Sequence, residues 1–148
     1  MDIDVRLATA QDRSLIEEFY NREGENFHQL IAHSSSTPVG ASTETMFVVA
    51  ITMEMVVAAL KLDIAKDPAL GKVGFIKHFE IEDALESTNL GYQMLEKTGE
   101  IAEKKGLRAL DAIFDASRAD LFDLYSESGF IEERKEVCLR KDFGLRIF

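Results

Sequence analysis

The sequence predicts a mixed α and β fold (α/β in the broad sense, α+β in detail) in the order β-α-α-β-β-β-α-β-α-β, and three observations point to it. Runs of alternating apolar residues take turns along the chain with runs at helical spacing. Two apolar strand runs, MFVVAIT (46–52) and VVAALKLD (56–63), lie three residues apart, which is hairpin spacing. A third, KVGFIKHFEI (72–81), is followed by a helical run and then by ALDAIFD (109–115), the pattern of a β-α-β unit.

Each element has a local reason. DVRLA (4–8) is a short first strand, and Thr9 with Asp12 spells T-x-x-D, a variant of the capping box. Leu15, Ile16, Phe19 and Tyr20 follow at helical spacing, and Gly24 ends that helix. ENFHQLIAH (25–33) repeats the pattern with Phe27, Leu30 and Ile31, which predicts a second, short helix. SSSTPVGASTET (34–45), rich in small and turn-forming residues, is expected to be a long loop. The hairpin turn MEM (53–55) has poor turn residues, and AKDPALGK (65–72) is read as a turn from its Pro and Gly. In the third strand Val73, Phe75, Phe79 and Ile81 are expected on one face; Lys77 breaks the run, which puts Ile76 on a second covered face. The helix of 90–105 gathers Leu90, Met94, Leu95, Thr98, Ile101 and Ala102 on one side, and Gly106 after two lysines is a C-terminal stop. SRADLFDLYSESG (117–129) is a helix with Leu121, Phe122, Leu124 and Tyr125 inward, and ERKEVCLRK near the C-terminus is a last strand.

Composition narrows the function. The 148 residues suit one domain with a real core. A hydrophobic share of 46% with 30% charged residues excludes a disordered or fibrous class. The net charge of −10 disfavours nucleic acid and anionic membrane, since KKGLR (104–108) is too short to form a basic patch. The acidity serves solubility or a cationic partner. Cys138 is alone, so no intrachain disulfide can form, and its apolar-alternating context predicts a small buried hydrophobe. MDIDVRLATAQD lacks a signal-peptide start, and MFVVAITMEMVVAALKL (46–62) is too short and too β-branched for a span, so a cytoplasmic protein is expected. His28, His33 and His78 have no metal-ligand spacing, so no metal is expected, and Ser34 to Ser36 lack a neighbouring base for hydrolase chemistry.

One turn raises a specific question. ALESTNLGYQML (84–95) joins the third strand of the series to the long helix, the arrangement that turns a helix N-terminus into an anion site. With the element order, with VRLATAQDRSLIEEFY and MLEKTGEIAEKKGLRALDAIFDAS, and above all with LYSESGF (124–130), the chain resembles the GNAT superfamily of acetyl-CoA-dependent N-acyltransferases over nearly its whole length. That resemblance implies a mixed, mostly antiparallel central sheet with helices on both faces. It also implies a coenzyme A pyrophosphate loop, R/Q-x-x-G-x-G/A, falling on ESTNLG.

By the same resemblance, Glu86, Ser87, Thr88, Asn89, Leu90, Gly91 and Tyr92 surround the pyrophosphate, and Ile81 lines the thioester and pantetheine. Ser117 and Arg118 stand where an asparagine contacts the pantetheine arm, and Arg118 is an alternative source of cation. Tyr125 is the general acid for the departing thiolate; Glu80 and Glu82, expected on one face, are the candidate bases. The expected co-substrate is acetyl-CoA and the acceptor an amine of a small molecule or protein, and a homodimer is compatible with the resemblance.

The sequence departs from the motif at two positions: Glu86 replaces the basic residue and Asn89 the first glycine. A lost charge-assisted hydrogen bond costs roughly 1.5–3 kcal/mol. A carboxylate about 5 Å from a phosphate adds roughly 1–3 kcal/mol of repulsion. Against about 8 kcal/mol for a micromolar ligand, these weaken coenzyme A towards the millimolar range. Asn89 tolerates positive φ and so still allows the turn. Alternatively, Asp83 to Glu86 is an acidic helix start, in which case the helix begins a turn early and no phosphate loop exists. Two further functions therefore stay open: a GNAT-fold ligand-binding, regulatory or interaction module without coenzyme A, and transfer from another donor such as an acyl carrier thioester.

Overall fold

The structure, a computed structural model, describes residues 2–32, 36–132, 139, 141 and 143. The last strand expected at ERKEVCLRK, together with Cys138, His33, Ser34 and Ser35, lies outside the described residues.

The described elements run β1 (Asp4–Leu7), α1 (Arg13–Arg22), α2 (Phe27–Ala32), β2 (Ser36–Thr37), β3 (Gly40–Ala41), β4 (Glu44–Thr52), β5 (Met55–Asp67), β6 (Gly71–Ile81), α3 (Leu90–Lys104), β7 (Ala109–Ala112) and α4 (Ala119–Glu127). Among the described residues five strands form one sheet in the order β1-β4-β5-β6-β7. Every pairing is antiparallel except β6 with β7, which is parallel and closes the β-α-β unit through α3. The start signal at Thr9 holds: its N–H donates to Asp12 Oδ2 at 2.8 Å, and Arg6 clamps the same carboxylate at 2.7 and 2.9 Å. Arg6 and these hydrogen bonds hold the Asp12 carboxyl down at about 2.

Alternation divides the apolar residues between two covered faces. On one face α3 and α4 bring Leu90, Met94, Leu95, Ile101, Leu121 and Tyr125 onto Val48, Ala50, Ala58, Leu60, Leu62, Ile64 and Ile76. On the other, α1 and α2 bring Ile16, Phe19, Tyr20, Phe27 and Leu30 onto Val49, Val56 and Ala59. Each such side chain contributes about 1.5–3 kcal/mol on burial. The α1 face also buries charge. Lys61 and Asp63 are 1% and 0% exposed, and Asp63 Oδ2 accepts Lys61 at 3.2 Å and Lys77 at 2.9 Å while Thr45 donates to Oδ1 at 2.7 Å.

Three expectations need correction. The turn read at 65–72 is shorter, because β5 runs on to Asp67 and pairs Ala65 with Val73 and Lys66 with Lys72. Asp67 then caps the remaining turn, its Oδ1 accepting Ala69 N–H at 2.7 Å and Leu70 N–H at 3.1 Å. The loop of 34–45 carries a small hairpin, β2 with β3, and Lys77 donates to the Ser36 carbonyl at 2.6 Å.

The third correction positions the site. Val73 and Phe75 belong to the α1 face with Ala65, whereas Phe79 and Ile81 pack on the α3 face. The pairing shows why: Lys61 faces Lys77 and Ala59 faces Glu80, so two steps on β5 match three on β6. The extra residue is a β-bulge, with His78 at a φ of 52°, and a one-residue shift moves every later side chain to the opposite face.

Candidate functional site around the end of β6

β6 and β7 pair only from Val73–Ala109 to Ile76–Ala112, with a last bond from Ile113 N–H to the Ile76 carbonyl at 2.9 Å. β6 continues to Ile81 without β7, so the sheet is split at this end. The bulge sits at the root of the split. Tyr20 of α1 holds it by donating to the His78 carbonyl at 2.7 Å, and Glu25 Oε1 lies 3.2 Å from His78 Nδ1.

The turn above the split leads into α3. Asp83–Leu85 forms one 3-10 turn, and the α-helix starts at Leu90 with Asn89 before it. The early acidic start at Asp83 to Glu86 is thus not adopted, because the 3-10 turn ends at Leu85 and the α-helix begins only at Leu90. Thr88 shapes the turn by donating to the Leu85 carbonyl at 2.6 Å and accepting Leu90 N–H at 3.3 Å. Asn89 has a φ of −82°, so its tolerance of positive φ is not called upon. Gly91 is required for another reason. A Cβ there would stand 2.9 Å from Leu124 Cδ2, so its bareness lets α4 close on α3.

A cleft of about 370 Å³ lies between this turn and α4. Seven of the ten expected donor-site residues line it: Ile81, Glu86, Ser87, Thr88, Gly91, Tyr92 and Arg118. The other three do not. Leu90 points into the core at 1% exposure, Asn89 is exposed, and Ser117 is held by Asp115, to which it donates through N–H at 2.8 Å and Oγ at 2.6 Å. The α4 wall adds Asp120, Asp123 and Glu127, which reading the sequence for motifs missed. Their spacing along one helix face was the available signal. Tyr92 donates to the Glu127 carboxylate. Partial burial, then Asp83 and Asp120, push the Glu86 carboxyl above the usual range.

Tyr125 is buried at 3% exposure in an aromatic cage, stacked on Phe114 at 5.3 Å and edge-on to Phe130 at 5.1 Å and Phe79 at 6.1 Å. Burial raises its hydroxyl well above the usual value against the opposing charge of Arg118. Glu80, opposite Ala59, faces α1 and accepts Arg118 Nη1 at 2.7 Å. Arg118 also forks onto Asp120, Nε to Oδ1 and Nη2 to Oδ2, both at 3.1 Å. Glu82 follows the strand, its N–H donating to the Val57 carbonyl at 2.9 Å. The Glu23 carboxyl is raised by burial first, then by the charges of Glu80 and Asp83, with a smaller push from Glu82. Among the described residues no cluster could hold a metal, and no helix is long and apolar enough to cross a membrane.

No family profile and no curated protein matches the chain by sequence. Its backbone, however, is similar to many solved structures. The ribosomal-protein-alanine N-acetyltransferase from Brucella melitensis biovar Abortus 2308 matches with a TM-score of 0.73 at 13% identity, over 95% of this chain and 100% of that one. Aminoglycoside N-acetyltransferase AAC(6′)-Iy in complex with coenzyme A matches at 0.70 and 13%, over 94% and 99%. A transcriptional regulator from Bacillus halodurans C-125 matches at 0.72 and 16%, over 95% and 100%. At these identities the likeness speaks for the backbone alone. The likeness covers nearly the whole of the chain and of its neighbours, and the chain has the GNAT fold.

Proposed function

We propose that the protein is an N-acyltransferase that moves an acetyl group from acetyl-CoA to an amine of a small molecule or protein. The observation that supports this reading best is the cleft where the end of β6, the start of α3 and α4 meet beside the split sheet. The backbone fits a pyrophosphate: the first N–H groups of α3, at Gly91 and Tyr92, have no acceptor within the helix and carry its positive dipole end. The side chains fit it less well, since among the described residues Glu86, Asp120, Asp123 and Glu127 surround one cation, Arg118. Weak, near-millimolar affinity follows.

Acetyl-CoA supplies an activated thioester. Ile81 lines the approach of its arm, and Tyr125, just behind the Leu121 and Leu124 wall, is the proposed proton donor to the departing thiolate, although burial makes its proton harder to release. Glu80 and Glu82 are the bases that relieve the attacking amine of its proton. The acids Glu23, Glu80 and Glu82 favour an acceptor that arrives as an ammonium ion. Calorimetric titration with acetyl-CoA tests this reading: saturable binding is expected, and none at millimolar concentration overturns it.

The acidic cleft favours a second reading, a GNAT-fold module that has lost coenzyme A and works in ligand binding, regulation or interaction. On that reading only the double variant Glu86→Arg with Asn89→Gly binds coenzyme A, and binding by the unaltered chain counts against it.

A further inference from the structure

Glu80 and Arg118 sit on opposite faces of the sheet. Glu80 pairs across from Ala59 and so points to the α1 face. Arg118 opens α4, whose Leu121 and Tyr125 pack in the core on the α3 face. An ion pair of 2.7 Å between them has to pass through the gap that β7 leaves beyond Ile76. Asp120 steadies the arginine from its own element with two bonds, which aims the remaining Nη1 across the gap. Side chains 33% and 19% exposed place the pair at the mouth of the split, neither in bulk solvent nor in the core.

We propose that the Arg118–Glu80 ion pair is a strap across the split, and that a thioester arm enters between β6 and the chain after β7 only when this strap opens. The inference rests on the acyl-donor reading above. It makes the strap a determinant of donor access, distinct from any role of Arg118 as a phosphate-binding cation. A partly exposed pair opens at small cost, so donor entry is slowed and not abolished.

The two roles differ in sign. Coenzyme A is anionic, so loss of Arg118 as a simple cation would slow and weaken its binding. Loss of the strap does the reverse. Stopped-flow measurement of coenzyme A association compares the unaltered chain with Arg118→Ala, Arg118→Gln and Glu80→Ala. The Arg118 and Glu80 variants are all expected to associate about two- to fivefold faster. Arg118→Gln serves if the alanine variant does not fold. Slower association in the Arg118 variants, with faster association only in Glu80→Ala, assigns the effect to charge and overturns the strap. If the unaltered chain binds coenzyme A and no variant differs from it, the strap fails while the donor reading stands. If neither the unaltered chain nor any variant binds at millimolar concentration, both fail together.

Discussion

From Val73 to Ile76 strand β6 has hydrogen-bonded neighbours on both edges, whereas from His78 to Ile81 it keeps, among the described residues, only β5. The first stretch is packed tightly. Phe75 and Ile76 are buried, a Cβ on Gly74 would stand 2.9 Å from Leu107 and Leu110, and Lys61 and Lys77 both pair with Asp63. The second stretch carries His78 and Glu80, with side chains of Glu25, Tyr20 and Arg118 arriving from three other segments. One extra residue separates the two. It reverses the alternation, points Phe79 at Tyr125, and frees a strand edge beside the α3 turn. A single strand can thus build packed core at one end and border a cleft at the other.

Substitutions can break either half separately. The largest effect is expected from Asp63→Asn, which leaves Lys61 charged and buried; about 3–5 kcal/mol of stability is lost in chemical denaturation, while the cleft keeps its ligand affinity. Gly74→Ala comes next, at about 1–3 kcal/mol, because the new methyl meets Leu62, Leu107 and Leu110 in the closed half. A Gly74→Ala chain as stable as the original would show that this half is not tightly packed.

Tyr20→Phe probes the hinge between the halves. It strips the His78 carbonyl of its donor and costs about 1–2 kcal/mol, with amide exchange rising around residues 77–80 and not around 73–76. The smallest effect belongs to the open half. Glu86 holds its proton more tightly folded than unfolded, so its contribution favours the fold in acid and is lost as pH rises through the folded value. Glu86→Gln therefore melts like the original chain in acid. At neutral pH it gains a few tenths of a kcal/mol, since solvent screens most of the effect. Equal melting temperatures at both pH values would show that Glu86 is not disfavoured in its charged form.

Much of the closed half was legible in the chain. Helical spacing located α1, α3 and α4, because apolar faces that must be buried leave a period in the sequence. The Thr9–Asp12 start was readable because capping is local, although the clamp from Arg6 was not. The open half resisted. Nothing near His78 announces a bulge, and reading through it put Phe79 and Ile81 on the wrong face. The grouping of Lys61, Asp63 and Lys77 has no local mark, since it depends on register between β5 and β6.

The sequence by itself determined the element order, the turn before α3 and the residues that fill it, including the acid at Glu86. These follow from neighbours within a few positions, where periodicity and turn chemistry act. Only the tertiary structure decided that Gly91 makes room for Leu124, that acids on α4 complete the cleft wall, and that Arg118 reaches Glu80 through the split. Those contacts join residues far apart in the chain, and their geometry is set by strand register and one inserted residue, which leave no local trace.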